Sequence, residues 1–299
     1  MKLRRRDMSS LLLALPLGLL IAGGEGTARA GEAHPGAERI VSVGGAVTEI
    51  LYALGAGERV VAVDTTSLYP PQATKLPQVG YMRQLAAEGV LSTGPDLILA
   101  EEGSGPATVL DILRESRVPV EIIPNDPTPE GIDEKIEAVG HAVGKNAEAK
   151  RLASAVADHF ADLEKTVATV PDGERKRVLF VLSVAGGRIM AAGKDTAADA
   201  MIGLAGGINA ADGFSGYKGM VDEAILTAAP DVILMMRRGE HAADAKETFA
   251  MPAFRTTPAA ATNNLIAMDG NYLLGFGPRT PEAAYELASR LYPDRVAAR

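Results

Sequence analysis

The chain has 299 residues, 47% of them hydrophobic and 23% charged, which suits one large or two ordinary folded domains. It contains no cysteine, which excludes disulfides, iron–sulfur clusters, thiolate zinc sites and thiol catalysis. Its formal net charge of −8 argues against nucleic acid as the main partner, because neutralising phosphates requires a basic surface.

The first part of the chain has the organisation of a secretory signal peptide. A basic start at residues 2–6 precedes an apolar run at residues 11–22, which is too short to span a bilayer. The small-x-small sequence Ala28-Arg29-Ala30 follows. We expect cleavage after Ala30 and export to the periplasm, by either the general or the twin-arginine route. The mature chain would keep 25 basic and 36 acidic residues, a net charge of −11.

Strands and helices are predicted to alternate through the first half of the mature chain. Continuous apolar runs predict buried strands at 39–43, 60–63, 96–100 and 120–123. Helices are predicted between them at 47–54, 85–91 and 109–116. Continuous apolar strands that alternate with helices are typical of a parallel sheet covered on both faces.

The pattern changes at residues 129–170, where apolar residues recur at helical spacing and no strand is predicted. A short helix and then one long helix are expected there. Strands resume at 178–182, 231–235 and 265–268, with a helix at 196–204 and a final helix that begins with Thr280 as N-cap and Pro281 at the first helical position.

These elements predict an α/β protein with two Rossmann-like α/β lobes, joined by one long linker helix, and a ligand cleft between the lobes. The expected boundaries are 31–142 for the first lobe, 143–170 for the linker helix and 171–299 for the second lobe. An internal match favours duplication of the lobe: residues 88–100 align without gaps with residues 223–235, with Glu88 opposite Glu223.

Motifs for catalysis are missing from the sequence. There is no G-x-S-x-G nucleophile motif, the glycines at 55–57 lack the third glycine of a dinucleotide loop, and residues 187–194 have the wrong spacing for a phosphate loop. The four histidines have no metal-ligand spacing. These observations disfavour an enzyme or a carrier of free metal ions.

Four loops are expected to line the cleft, because they follow the carboxyl ends of predicted strands. They lie at 65–71, 80–85, 213–219 and 236–239, and they supply tyrosines, methionines and cations. This mixture suits a flat, apolar ligand that carries two negative charges. The side chains expected to face it are Tyr69, Tyr81, Arg83, Tyr217, Lys218, Arg237 and Arg238.

The mature chain resembles the haem-binding periplasmic proteins of bacterial haem ABC importers, a branch of the cobalamin and siderophore class of binding proteins. The resemblance depends on the stretches RIVSVGGAVTEI (39–50), SLYPP (67–71), KLPQVGYMRQL (75–85), GKDTAADA (193–200) and LGFGPR (274–279). It implies two α/β lobes with a rigid linker helix, haem as the transported ligand, and no catalytic activity.

The resemblance also implies roles for particular residues. Tyr69, in the Tyr-Pro-Pro loop, corresponds to the axial ligand of the haem iron, with Tyr81 as the rival candidate. An arginine from the second lobe near the bound face is implied at Arg237 or Arg238. Paired glutamates that dock such proteins on the permease dimer correspond to Glu88 and Glu223.

Two alternatives remain open from the sequence. The same class of protein carries corrinoids and ferric siderophores, so either could replace haem as the ligand. A periplasmic haem-processing enzyme is the alternative from another functional class, and the missing catalytic motifs disfavour it.

Overall fold

The computed structural model describes residues 31–237 and 244–297, which belong to one compact unit, Gly31–Arg299. The predicted signal peptide and Arg238 lie outside the described residues. Within the described part of the chain, no helix is both long and apolar enough to cross a membrane.

The first lobe contains a four-stranded parallel sheet with the strand order β2-β1-β3-β4. Its strands are β1 (Ile40–Val43), β2 (Val60–Val63), β3 (Leu97–Glu101) and β4 (Val120–Ile123). Its helices are α1 (Gly45–Ala53), α2 (Ala87–Leu91) and α3 (Ala107–Glu115). Both central strands, β1 and β3, are buried along their whole length, which explains their continuous apolar sequence.

Two helices follow the first sheet. Helix α4 (Pro129–Ala142) is capped by the Thr128 hydroxyl, which accepts a hydrogen bond from the Gly131 backbone N–H. Helix α5 (Asn146–Val167) has 22 residues and buries one apolar stripe. Helix α5 is the helix that the sequence predicted as the linker. The lobe boundaries at residues 142 and 171 stay a prediction.

The second lobe contains a six-stranded mixed sheet with the order β10-β9-β5-β6-β8, and β7 pairs with β5. Its strands are β5 (Arg177–Ala185), β6 (Arg188–Ala192), β7 (Ile208–Asn209), β8 (Tyr217–Met220), β9 (Val232–Arg237) and β10 (Leu265–Asp269). Its helices are α6 (Ala197–Leu204), α7 (Asp222–Ala228), α8 (Ala245–Ala250), α9 (Pro258–Ala261), α10 (Gly270–Leu274) and α11 (Thr280–Leu291).

One prediction for the second lobe is wrong, and one feature of its sheet was not predicted. Strand β6 runs antiparallel to both β5 and β8, so the sheet is mixed. Gly186 and Gly187, with φ of 57° and 75°, form the two-residue turn that sends β6 back along β5. Thr280 is the first residue of α11, and Arg279 occupies the N-cap position without a capping side-chain bond.

The repeated Pro-Asp turn has the same structural role in both lobes. Asp96 accepts a hydrogen bond from the Arg39 backbone N–H at 2.8 Å, and Asp231 accepts one from the Arg177 backbone N–H at 2.8 Å. Each arginine also donates from Nε to a backbone carbonyl near the end of the helix before the turn. The two sequence repeats therefore fold into equivalent helix–turn–strand units, which supports duplication.

The lobes share a core. Buried side chains of α1, α5, β5 and α11, among them Ile50, Val156, Phe180 and Leu287, belong to one contiguous apolar cluster. Because this cluster includes residues from both sheets and from the linker helix, the lobes are packed against a common support and are not joined by a free hinge.

Candidate ligand cleft

A cavity of about 670 Å³ lies between the lobes. Its walls come from the loops after β1, β2 and β3 in the first lobe and from the ends of β9, β10 and α10 in the second. Its volume is in the range of sites that bind drug-sized ligands, roughly 300–1,000 Å³. The cavity is therefore the candidate binding site, at the position where the sequence predicted one.

Asp64 fixes the loop that presents Tyr69. The buried Asp64 carboxylate accepts hydrogen bonds from the backbone N–H groups of Gly44 and Thr66, both at 3.0 Å, and from the Ser67 hydroxyl at 2.9 Å. These bonds tie the loop after β2 to the end of β1. Tyr69 lines the cavity with 44% of its surface exposed, so its ring is positioned by a rigid loop and remains accessible to a ligand.

The loop that carries Tyr81 is attached to the same strand. The Val79 N–H donates to the Val63 carbonyl at 2.9 Å, the Val63 N–H donates to the Pro77 carbonyl at 3.0 Å, and the Thr65 N–H donates to the Gly80 carbonyl at 2.9 Å. Tyr81 also lines the cavity and is 41% exposed. Both tyrosines that the sequence proposed as iron ligands thus border the cavity, on adjacent loops.

An arginine that the sequence did not single out lies against Tyr69. The Arg279 guanidinium carbon is 3.6 Å from the centre of the Tyr69 ring. Arg279 is held by Glu49, whose carboxylate accepts from the Arg279 Nε at 2.9 Å and from its backbone N–H at 3.1 Å. Arg237 lines the cavity with an exposed side chain, at the end of β9. Among residues 31–237 and 244–297, the arginine found over the Tyr69 ring is Arg279, whereas the predicted candidate Arg238 lies outside the described residues.

Tyr272 borders the other side of Arg279. The Asp269 carboxylate caps α10 by accepting from the N–H of Tyr272 at 3.0 Å, and the Tyr272 ring centre lies 5.1 Å from the Arg279 guanidinium. Burial, with the nearby carboxylates of Glu286 and Glu282, raises the pKa of Tyr272 to about 12, and Arg279 opposes this shift. Tyr272 thus stays neutral at physiological pH.

Three further residues were predicted to face the ligand, and one of them, Arg83, is found in the described cavity lining. Arg83 lines the cavity beside Tyr81. Tyr217 and Lys218 were expected in a loop after a strand, but they begin strand β8 and pair with β6, so that expectation is wrong. Burial raises the pKa of the Tyr217 phenol, and the positive charge of the Arg83 guanidinium opposes this shift.

The two glutamates proposed for docking occupy equivalent sites. Glu88 lies in the first turn of α2 and Glu223 in the first turn of α7, and both are exposed. Neither carboxylate forms an ion pair or hydrogen bond with another residue in the ranges 31–237 and 244–297. Both therefore remain available to a partner.

Two more hydrogen bonds cross between the lobes beneath the cavity. The Asn271 side-chain amide donates to the Thr66 carbonyl at 2.8 Å. The Nζ atom of Lys135, a fully buried lysine of α4, donates to Glu101 Oε1 at 2.6 Å, to Asn125 Oδ1 at 2.7 Å and to the Phe276 carbonyl of the second lobe at 3.0 Å. With the Glu49–Arg279 pair, these contacts hold the lobes in the arrangement that forms the cavity.

Among the described residues, no three histidine or carboxylate side chains come together to form a metal site. His34, for example, pairs with Glu121 at 3.0 Å. The side chains that line the cavity include the phenols of Tyr69 and Tyr81. Phenol oxygens suit Fe(III) held by a macrocycle, as in tyrosinate-ligated haem proteins.

Comparison with known proteins identifies the family. The sequence profile of a family described as periplasmic binding protein matches residues 40–272. The chain belongs to this family. An uncharacterized ABC transporter substrate-binding lipoprotein, YvrC of Bacillus subtilis, is 30% identical over 259 residues, which cover 86% of this chain and 81% of that protein.

Two further relatives differ in the ligand that their names describe. The periplasmic heme-binding protein RhuT from Roseiflexus sp. RS-1 is 39% identical with a TM-score of 0.82, and the match covers 86% of this chain and 99% of RhuT. The cobalamin-binding protein of Halobacterium salinarum is 28% identical over 262 residues, 85% of this chain and 69% of that protein. The chain is therefore a periplasmic solute-binding protein of an ABC importer, and not an enzyme.

Proposed function

We propose that this solute-binding protein carries haem in the cleft between its lobes and delivers it to the permease of an inner-membrane ABC transporter. The observation that carries the proposal is the accessible Tyr69 phenol at the cavity wall, with the Arg279 guanidinium 3.6 Å from its ring centre. The similarity to RhuT, which is named as a heme-binding protein, supports the same ligand.

The chemistry of the cavity suits each part of haem. A phenol must lose its proton to bind Fe(III) well, and coordination to the metal favours that loss. Tyr81, Tyr272 and Met236 provide aromatic and thioether surface for the faces of the porphyrin. Arg83 and Arg237 are the cations that would pair with its two carboxylates.

A corrinoid is the second candidate ligand, because the halobacterial relative is named as a cobalamin-binding protein. A ferric siderophore is a further possibility within the same class. Neither requires a tyrosinate ligand, whereas the geometry around Tyr69 has a direct use in haem ligation. The Tyr69–Arg279 contact therefore supports haem as the proposed ligand.

Delivery to the permease is proposed to use Glu88 and Glu223. They are exposed, lack partners in the described part of the chain, and lie at the start of equivalent helices in the two lobes. A two-lobed carrier that meets a permease with two-fold symmetry needs one matching anchor on each lobe. Such exposed pairs contribute about 0–1 kcal/mol each and act mainly on orientation.

Absorption spectroscopy of the protein loaded with ferric haem tests the ligand and the site together. We expect the charge-transfer band of an Fe(III)–phenolate bond in the unmodified protein and in Tyr81→Phe, and its loss in Tyr69→Phe. Loss in Tyr81→Phe alone would move the iron site to Tyr81. Tight binding of a corrinoid without any binding of haem would refute the proposal.

A further inference from the structure

The environment of Glu49 is unusual for a helix residue beside a ligand cleft. Glu49 lies on α1 of the first lobe with only 8% of its surface exposed, and both of its carboxylate oxygens accept hydrogen bonds from a single residue of the second lobe. The third contact is Arg279 Nη2 to Glu49 Oε2 at 2.8 Å. Both carboxylate oxygens of Glu49 thus accept hydrogen bonds from Arg279, one from its backbone N–H and the other from its guanidinium.

The loop that carries Arg279 is shaped to reach Glu49. Gly277 approaches α1 so closely that an added Cβ would lie 3.2 Å from the Cβ of Ala46. Phe276, just before it, has a φ of 46°, in the left-handed region that non-glycine residues seldom adopt. This backbone places the Arg279 N–H and side chain together against the carboxylate.

A free arginine side chain has many rotamers and would not keep one face on a neighbouring ring. Here the bonds from Nε and Nη2 to Glu49 fix the guanidinium, and its central carbon lies over the Tyr69 ring, 3.6 Å from the ring centre. The Nη1 atom makes no hydrogen bond with any other residue in the described ranges. The orientation of Arg279 on Tyr69 is therefore set by Glu49.

We infer that Glu49 is a positioning residue for the ligand-binding tyrosine: it holds Arg279 of the second lobe on the ring of Tyr69 of the first. This inference rests on the proposed function, in which Tyr69 binds the haem iron. A fixed guanidinium beside the ring stabilises the phenolate that the iron requires. Glu49 borders the cavity, and in this proposal it acts on the ligand site through Arg279.

The same geometry makes the strength of the proposed Tyr69–iron bond depend on the contact between the two lobes. Glu49 and Tyr69 belong to the first lobe, whereas Arg279 belongs to the second. Separation of the lobes would therefore remove the guanidinium from Tyr69 and weaken the bond to iron. A permease that pulls the lobes apart would promote release of the ligand by this route.

The test compares Glu49→Gln with a matched control, Glu174→Gln, which breaks the exposed ion pair with Arg295. Each is loaded with ferric haem, and the dissociation rate and phenolate–iron band are measured. We expect Glu49→Gln to release haem about tenfold faster with a shifted band, from the usual size of cation–π contacts. Glu174→Gln should match the unmodified protein in both measurements.

Coupling between Glu49 and Arg279 separates positioning from a general structural effect. Arg279→Lys keeps the charge but loses the planar contact, so it should also accelerate release. The double variant Glu49→Gln/Arg279→Lys should release haem no faster than the more impaired single variant, because both changes remove one interaction. Additive effects, or an unchanged rate and band in Glu49→Gln, would overturn the inference while leaving haem binding at Tyr69 intact.

A ligand-free measurement keeps the inference testable if haem is not the ligand. The Arg279 Nε–H signal is observed by ¹⁵N NMR and assigned by its loss in Arg279→Lys. Tyr69→Leu should shift this signal in the unmodified background and leave it unchanged in the Glu49→Gln background. Equal shifts in both backgrounds would refute the positioning role, whatever the cleft binds.

Discussion

Replacing Lys135 by Met should destabilise the protein strongly. Lys135 Nζ is fully buried and donates to the Glu101 carboxylate, to the Asn125 side chain and to the backbone carbonyl of Phe276 in the other lobe. Methionine has a similar length but no charge and no donor. The substitution therefore leaves the Glu101 carboxylate buried without its cation, and leaves two more acceptors without a donor.

The size of the effect follows from the burial of this pair. Breaking a buried ion pair by removing one partner costs about 3–5 kcal/mol. The Glu101 side chain is only 6% exposed, but it borders the cavity, so water reaches it more easily than in a closed core. We expect a loss near the lower limit, about 3 kcal/mol in the free energy of unfolding.

Urea unfolding followed by circular dichroism measures this loss, with Lys165→Met as the matched control. Lys165 pairs with Asp162 on α5 with its side chain 75% exposed, so its replacement should cost less than about 0.5 kcal/mol. Adding Glu101→Gln to Lys135→Met should recover stability, because the uncompensated charge is then removed. A loss below about 1 kcal/mol for Lys135→Met would refute this reasoning.

Three other predictions concern pH, docking and lobe movement. The pKa of Tyr272 is raised from 10.0 to about 12, so between these pH values the folded protein retains a proton that the unfolded chain loses. The stability from this group is therefore full below pH 10 and lost by about pH 12. Tyr272→Phe should make the decline of the unfolding free energy at alkaline pH shallower, and an identical decline would contradict the assignment. Charge reversal of both Glu88 and Glu223 should strongly reduce transport by the cognate permease in vesicles and leave ligand affinity unchanged, whereas a normal transport rate would exclude them as docking points. Solution scattering with and without ligand should show only a small lobe rotation, because α5 and the cross-lobe bonds resist bending, and a large closure would contradict this expectation.

Much of the first lobe was predictable because its strands are buried on both faces. Runs such as IVSV and LILAE contain few residues that favour solvent. Strand β1 begins one residue later than predicted, and strand β3 begins and ends one residue later than predicted. The linker helix was predictable because apolar residues recur along one face of α5. Both signals are local patterns in the sequence, and such patterns are sufficient to predict individual strands and helices like β1, β3 and α5.

The second lobe was harder to predict because its sheet contains an antiparallel hairpin and short strands that interrupt the alternation of strands and helices. The signal for the hairpin was present: Gly186-Gly187 lies between two apolar runs, which is typical of a two-residue turn with positive φ at both positions. Strand β8 is mostly exposed, and its sequence, YKGM, lacks a continuous apolar run. Tyr217 and Lys218 were consequently expected in a loop.

The cleft shows the limit of sequence reasoning more clearly. Tyr69 and Tyr81 could be proposed because each lies in a loop directly associated with a predicted strand. The contact between Arg279 and Tyr69 depends on a distant loop that reaches across the lobes, and no local pattern indicates which arginine arrives there. The segment LGFGPR was noticed only for its resemblance to a family, without a role for its arginine.

The identity of the ligand is the central claim, and native mass spectrometry of the exported protein tests it most directly. The protein is isolated from periplasm without added ligand and sprayed intact, and the mass difference from the ligand-free chain is read directly. The account predicts added mass that corresponds to haem in the unmodified protein, and markedly less in Tyr69→Phe. A corrinoid or siderophore mass, retained in Tyr69→Phe, would contradict it.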